Sequence, residues 1–195
     1  FAGSVFVTGM DRVTALFPVP VDMGSYIPFV LAGIFCMMNA TCVSVSMEGK
    51  NWWIINSLPL SVKNILNAKI LMNLILATPF YLVSEILLTL ALRPAFLELV
   101  WLILIPAAAV LFSSVFGLAV NLHFPVFIWE SETSVVKQSA SSLLGGLGGI
   151  LPVILFVAAV AALPAVNPHV VKAVCCAAFL LAAALLYRNN NRIDL

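Results

Sequence analysis

Charge is what this sequence has least of. Of its 195 residues, 9 are Lys or Arg and 8 are Asp or Glu, 9% in all. A soluble domain carries about 25% charged residues, so these are too few to cover a water-facing surface. The net charge of +1 gives no field for nucleic acid or for steering acidic substrates. Cysteine is scarce as well. Cys36, Cys42, Cys175 and Cys176 all lie inside apolar runs, away from the further nitrogen or sulfur donors a metal needs. They read as small packing residues. His123, Glu130 and Glu132 are near neighbours without ligand spacing, and His169 stands alone; both read as loop residues, and no metal site is expected. There is no Ser–His–Asp set, no HExxH and no pair of carboxylates placed for acid–base work. No GK[ST] follows the glycine cluster, so no phosphate-binding loop is expected. The chain reads as a non-enzyme. Residue 1 is Phe and no basic stretch leads into a short apolar one. A signal peptide is therefore not expected, and the chain reads as part of a longer polypeptide.

What is present is hydrocarbon. The chain is 63% hydrophobic with a mean hydropathy of +1.15. A bilayer core takes about 20 helical residues to cross. Five runs meet that length: 25–47, 68–92, 97–120, 140–163 and 170–187. The prediction is an all-α, polytopic transmembrane bundle. Asp11, Arg12, Pro18, Pro20 and Asp22 break any helix over residues 1–24, which read as an extracytoplasmic loop. The polar stretches 48–67 and 121–138 read as cytoplasmic elbows. Asn39, Thr41, Ser44 and Ser46 give the second half of the first run a polar side for other helices. Pro59 stops the helix before it, Ser61 is placed to cap the helix after it, and Pro79 should kink that second helix.

Loop charge sets the orientation. With residues 48–67 inside, Lys50, Lys63, Lys69, Lys137, Arg188 and Arg192 are cytoplasmic, while Arg12, Arg93 and Lys172 are outside. That agrees with the positive-inside rule. It predicts a multi-pass protein of the cytoplasmic (cell) membrane with its carboxy terminus inside.

Three sets of residues are candidates for function. The first elbow pairs Trp52 and Trp53, which suit a membrane interface, with the apolar Ile54, Ile55 and Leu58. It reads either as an interfacial anchor with snorkelling Lys63 and Lys69 or as a docking surface for a soluble partner. Glu85 is an ionisable group inside a span, which is costly and marks either a hydrogen-bonded structural acid or the lining of a pathway. Gly145, Gly148 and Gly149 form a small face, and close helix packing is the expected role.

The run SMEGKNWWIINSLPLSVKNILNAKIL, over residues 46–71, resembles a segment of bacterial type-2 ABC exporter permeases of the large two-half subgroup. Ser46, Glu48, Gly49, Lys50, Asn51, Trp53, Ser57, Leu58, Pro59, Ser61, Ile65, Leu66, Ala68 and Lys69 carry it. Asn56 departs from the pattern, where a basic or other polar residue is expected. The run NLHFPVFIWESETSVVKQSAS, over 121–141, is similar to a second segment of that subgroup. There Asn121, Phe124, Pro125, Trp129, Glu132, Val135, Val136, Lys137, Gln138 and Ser139 match.

The resemblance implies the carboxy-terminal portion of an exporter permease. It implies partners: a separate ATP-binding cassette ATPase subunit, and the remaining half of the permease or a second copy. It implies no cofactor in this chain, since ATP would sit on the ATPase. It further implies that the elbow is a short amphipathic coupling helix, with Glu48, Gly49, Lys50, Asn51, Trp53, Ser57, Leu58 and Pro59 as the contact. Residues 121–138 are then a second cytoplasmic contact. Two other classes stay open. A membrane scaffold would dock a different cytosolic factor; an ion-coupled secondary transporter would depend on Glu85 and often shows inverted repeats, of which none is found.

Overall fold

The computed structural model describes residues 23–57, 59–129, 131, 133, 135–136, 139–162 and 167–190. Residues 1–22 lie outside that set. So do Leu58, Glu130, Glu132, Lys137, Gln138 and Arg192, on which expectations were placed. The described residues are 87% helix and include no strand. Among the described residues six α-helices follow in order: α1 Met23–Met37, α2 Trp52–Ser57, α3 Val62–Leu92, α4 Phe96–His123, α5 Ala140–Ala162 and α6 Pro168–Asn190. Among the described residues five segments are long and apolar enough to cross a membrane: Ser25–Gly49, Val62–Leu92, Phe96–His123, Ala140–Val160 and Pro168–Asn190. By architecture this is a multi-pass membrane protein.

Helix α4 is the hub. It packs against α1, α3, α5 and α6, and 56% of its most apolar stretch is buried, against 11% for α3. Small side chains allow this crowding. Ala108, Ala109, Ser113, Ser114 and Gly117 keep the α4 surface low, so neighbouring backbones approach closely. One apolar cluster joins Phe29, Ala32 and Cys36 of α1 to Ile105, Ala109 and Phe112 of α4, with Phe179 of α6. A second joins Ile27, Leu31 and Phe35 of α1 to Ala77 of α3 and to Leu102 and Val110 of α4. The outward apolar residues of α3, among them Leu71, Met72, Ile75, Phe80, Val83 and Leu87, stay exposed, which suits lipid or another membrane helix.

Helix ends follow local chemistry. Ser61 accepts the N–H of Asn64 at 3.3 Å and caps α3, which is the expected cap. The helix therefore starts at Val62, before the span boundary at residue 68 expected from hydropathy. It runs unbroken through Pro79 to Leu92. Arg93 ends it in the left-handed region at φ 46°, with its N–H on Thr89 O at 3.0 Å. Helices α4 and α6 also run past the apolar limits, to 96–123 and 168–190.

The first span departs most from expectation. Residues 25–47 read as one uninterrupted helix, yet α1 stops at Met37. Its 15 residues rise about 1.5 Å each, too few to cross a hydrocarbon core of roughly 30 Å. Beyond it the chain makes a 3-10 turn over Ala40–Cys42 and a longer 3-10 stretch over Ser46–Asn51. Asn39 causes the break. Its backbone is extended (φ −109°, ψ 94°), and its side chain accepts the N–H of Thr41, so the side chain competes with the helix for a backbone partner. Non-helical backbone at membrane depth survives only where protein surrounds it. Here the surrounding groups come from α3, α4 and α5.

Candidate functional site

The break is lined by polar side chains, each with a partner. Ala40 N–H donates to Asn73 Oδ1 of α3 at 2.8 Å, and Asn73 Nδ2 donates to Ser114 Oγ of α4 at 2.7 Å. Asn39 Nδ2 donates to Ser113 O at 2.6 Å. The Thr41 hydroxyl lies between Asn39 Oδ1 at 2.6 Å and Ser114 O at 2.7 Å. Further along, Asn121 Oδ1 accepts the N–H groups of Val45 and Ser46. Asn39, Thr41, Ser46, Asn73, Ser113, Ser114 and Asn121 are all buried. This network replaces the ladder that α1 gives up, and a satisfied network in a low-dielectric interior is rigid.

The two sequence runs at 46–71 and 121–141 meet at this end of the bundle. Ser46 is the joint. Its Oγ accepts from Asn121 Nδ2 at 2.7 Å and from Val126 N–H at 2.9 Å, while its carbonyl accepts from Trp129 Nε1 at 2.9 Å. Gly49 lies under the Trp129 ring. A Cβ there would come within 2.9 Å of Trp129 Nε1, and φ is +51°, so space and backbone both call for glycine. Glu48 accepts from Lys69 Nζ at 2.8 Å; the same ammonium donates to Ser44 O at 2.7 Å. Lys69 thus ties the elbow to the first turns of α3.

From this base α2 projects. It packs on the preceding 3-10 stretch. Asn51, Trp53, Ile54, Ser57, Pro59 and Leu60 are exposed, Trp53 at 67%. Lys50 belongs to the 3-10 stretch. The structure therefore divides the candidate elbow residues in two. Glu48 and Gly49 are held in the bundle, and Asn51, Trp53, Ser57 and Pro59 face outward.

Glu85 is placed differently. It sits on the α3 face that carries Ala77, Tyr81, Leu88 and Leu92 into the second apolar cluster. It is 7% exposed, and neither carboxylate oxygen has a hydrogen-bond partner. Neighbouring Ser84 is turned away, donating to Tyr81 O at 2.8 Å.

The glycines of α5 meet the broken span and α4. A Cβ on Gly145 would overlap Cys42, one on Gly148 would come within 2.7 Å of Phe116, and one on Gly149 within 3.2 Å of Cys36 O.

At the opposite end, Lys172 of α6 is fully buried and donates to Glu98 Oε2 of α4 at 2.5 Å. Trp101 Nε1 donates to His169 Nδ1 at 3.1 Å. Indole nitrogen only donates, so that imidazole nitrogen accepts and is unprotonated. The 3.7 Å approach of Glu98 Oε1 to the same atom is then not an ion pair. Sequence reading placed His169 in a loop and Lys172 at the outer end of the last span; both lie in α6. Nothing near residue 170 names their partners, which come from α4 more than 60 residues away. The cysteines are free. No group of three His, Cys, Asp or Glu converges among the described residues.

No protein-family model, curated protein or solved structure matches the chain. The geometry above is the ground for any functional reading.

Proposed function

We propose that this chain is the membrane-spanning permease part of an ATP-binding cassette exporter, and that its elbow couples the bundle to a separate ATPase. One observation carries the reading. The two sequence runs that resemble exporter permeases pack on one another through Ser46, Gly49, Asn121 and Trp129, and from that joint α2 presents Trp53 and Ile54 outward, with Leu60 exposed just beyond it. A projecting short helix with exposed aromatic and aliphatic side chains fits a groove on a soluble partner. Its base is fixed to α3 by Lys69 and to α4 by Asn121, whose amide also reaches Ser141 of α5. Force on α2 is therefore delivered to three spans at once.

On this reading ATP is bound and hydrolysed by the ATPase, the elbow end faces the cytoplasm, and the carboxy terminus is on the same side. The exposed face of α3 meets the remaining half of the permease or a second copy. The test is co-purification. The tagged chain should bring down an ATPase encoded beside it, and Trp53→Glu should abolish capture without changing membrane insertion. Capture unaffected by Trp53→Glu and Ile54→Glu together would defeat the docking surface. A cysteine at Lys63 should react with a membrane-impermeant thiol reagent only from the cytoplasmic side.

A further inference from the structure

Four side chains meet where α4 and α6 begin, at the end opposite the elbow. Glu98 and Trp101 come from α4, His169 and Lys172 from α6. Each pair is spaced three residues apart, so each lies on one face of its helix. Their hydrogen bonds form a chain. The fully buried Lys172 ammonium donates to Glu98 Oε2 at 2.5 Å. The other carboxylate oxygen, Oε1, stops 3.7 Å from His169 Nδ1, beyond hydrogen-bond reach. That nitrogen instead accepts Trp101 Nε1–H at 3.1 Å. A neutral imidazole carries one ring proton. Here it sits on Nε2, so the Nδ1 lone pair is the basic site of the ring, and it is the lone pair that the indole occupies. His169 is the second residue of α6, and its side chain is 35% exposed, so water reaches it.

We infer that His169 is a pH-sensitive latch between α4 and α6, held by Trp101 when the imidazole is neutral and by Glu98 when it is protonated. A proton from water enters at Nδ1. The indole N–H then faces another N–H and loses its acceptor. The new Nδ1–H donates to Glu98 Oε1, closing from 3.7 Å to about 2.8 Å, a side-chain movement of about 1 Å. The carboxylate can hold both cations, Lys172 on one oxygen and His169 on the other. Imidazoles change charge between about pH 5 and pH 8. Of the charged groups here, Glu98 favours the imidazolium and Lys172 opposes it. Helix α5 also touches α6 and has no titratable side chain over Ala140–Ala162. Helix α1 shares the core cluster with α6 and brings Tyr26 and Cys36. The other titratable group of α4, His123, is at its far end. Trp101 packs against the cluster that joins α1, α4 and α6, so release of its indole is felt in the core. The inference rests on the packing of α4 and α6 and needs no ATPase.

The test follows the indole directly. The full chain, labelled with 15N-tryptophan, is placed in nanodiscs, and the Trp101 indole N–H resonance is identified by its loss in Trp101→Phe. Lowering the pH from about 8 to about 5 should move that resonance upfield, the direction of a lost hydrogen bond. His169→Gln offers an amide oxygen that accepts the indole hydrogen and does not titrate, so the resonance should stay downfield at every pH. Lys172→Met removes the opposing ammonium and should raise the midpoint of the movement. The Trp129 indole, bonded to Ser46 O at the far end, should keep its position in both variants, which reports that they are folded. A Trp101 resonance indifferent to pH in the unmodified chain would overturn the inference. So would a movement that survives His169→Gln, or a midpoint unchanged by Lys172→Met.

Discussion

Asn121 of α4 holds the broken first span through Ser46, using its full hydrogen-bonding capacity. Its Oδ1 accepts Val45 N–H at 2.7 Å and Ser46 N–H at 3.1 Å. Its Nδ2 donates to Ser46 Oγ at 2.7 Å and Ser141 Oγ at 3.1 Å. Two acceptor and two donor positions are what a side-chain amide has. One residue therefore satisfies the backbone that α1 leaves open and joins it to α5.

Asn121→Leu should accordingly be among the most damaging substitutions at this end. It orphans two buried N–H groups, each worth about 1–3 kcal/mol. Asn73→Leu orphans only Ala40 N–H and should cost less. Thermal unfolding in detergent should rank them in that order. Unfolding temperatures equal to the unmodified chain for both would show that the network contributes nothing.

Gly145 and Gly146 are adjacent on α5 and make a matched pair. A Cβ on Gly145 overlaps Cys42, whereas one on Gly146 meets nothing within 4 Å. Gly145→Ala should destabilise by about 1–3 kcal/mol through overpacking. Gly146→Ala should be neutral or stabilising by about 0.5–1 kcal/mol, from helix propensity alone. Equal effects would mean that α5 does not lie against the broken span.

Glu98, half-buried, pairs with the fully buried Lys172 at the end opposite the elbow. Glu98→Leu strips the counter-charge from a fully buried ammonium, a loss of about 3–5 kcal/mol. Adding Lys172→Met should recover most of it, because the charge to be compensated is gone. Double-mutant unfolding measurements check this; additive losses would contradict the pairing.

Gly49→Ala combines a strained backbone, costing about 1–3 kcal/mol, with contact against Trp129. The damage should stay local. Limited proteolysis should cut near residues 50–60 faster than in the unmodified chain, with the spans intact. Unchanged cutting would mean that Trp129 does not seat the elbow.

Much of this architecture is legible in the sequence because charge depletion is a property of composition. Five apolar runs predict five membrane-length segments, and Ser61 after Pro59 predicts where α3 begins. The break at Met37 is not legible in the same way. Hydropathy sums side chains and cannot register that Asn39 turns its amide onto its own backbone. The acceptors that make the break tolerable, Asn73 and Asn121, lie 33 residues from Ala40 and 76 from Val45. The same distance in sequence hid the partner of Lys172, since Glu98 lies 74 residues away. The polar letters Asn39, Thr41, Ser44 and Ser46 did signal a surface for other helices. What they could not convey is that the surface would be backbone as much as side chain.

The central claim is that α2, seated on the joint of Ser46, Gly49, Asn121 and Trp129, transmits ATPase motion to the bundle. The most direct measurement is ATP hydrolysis by the partner ATPase reconstituted with this chain in nanodiscs, comparing the unmodified chain with Trp53→Glu. The account predicts that the chain alters the hydrolysis rate and that Trp53→Glu abolishes the effect, with insertion and helicity unchanged. An effect that persists in Trp53→Glu, with the ATPase still bound, would contradict it.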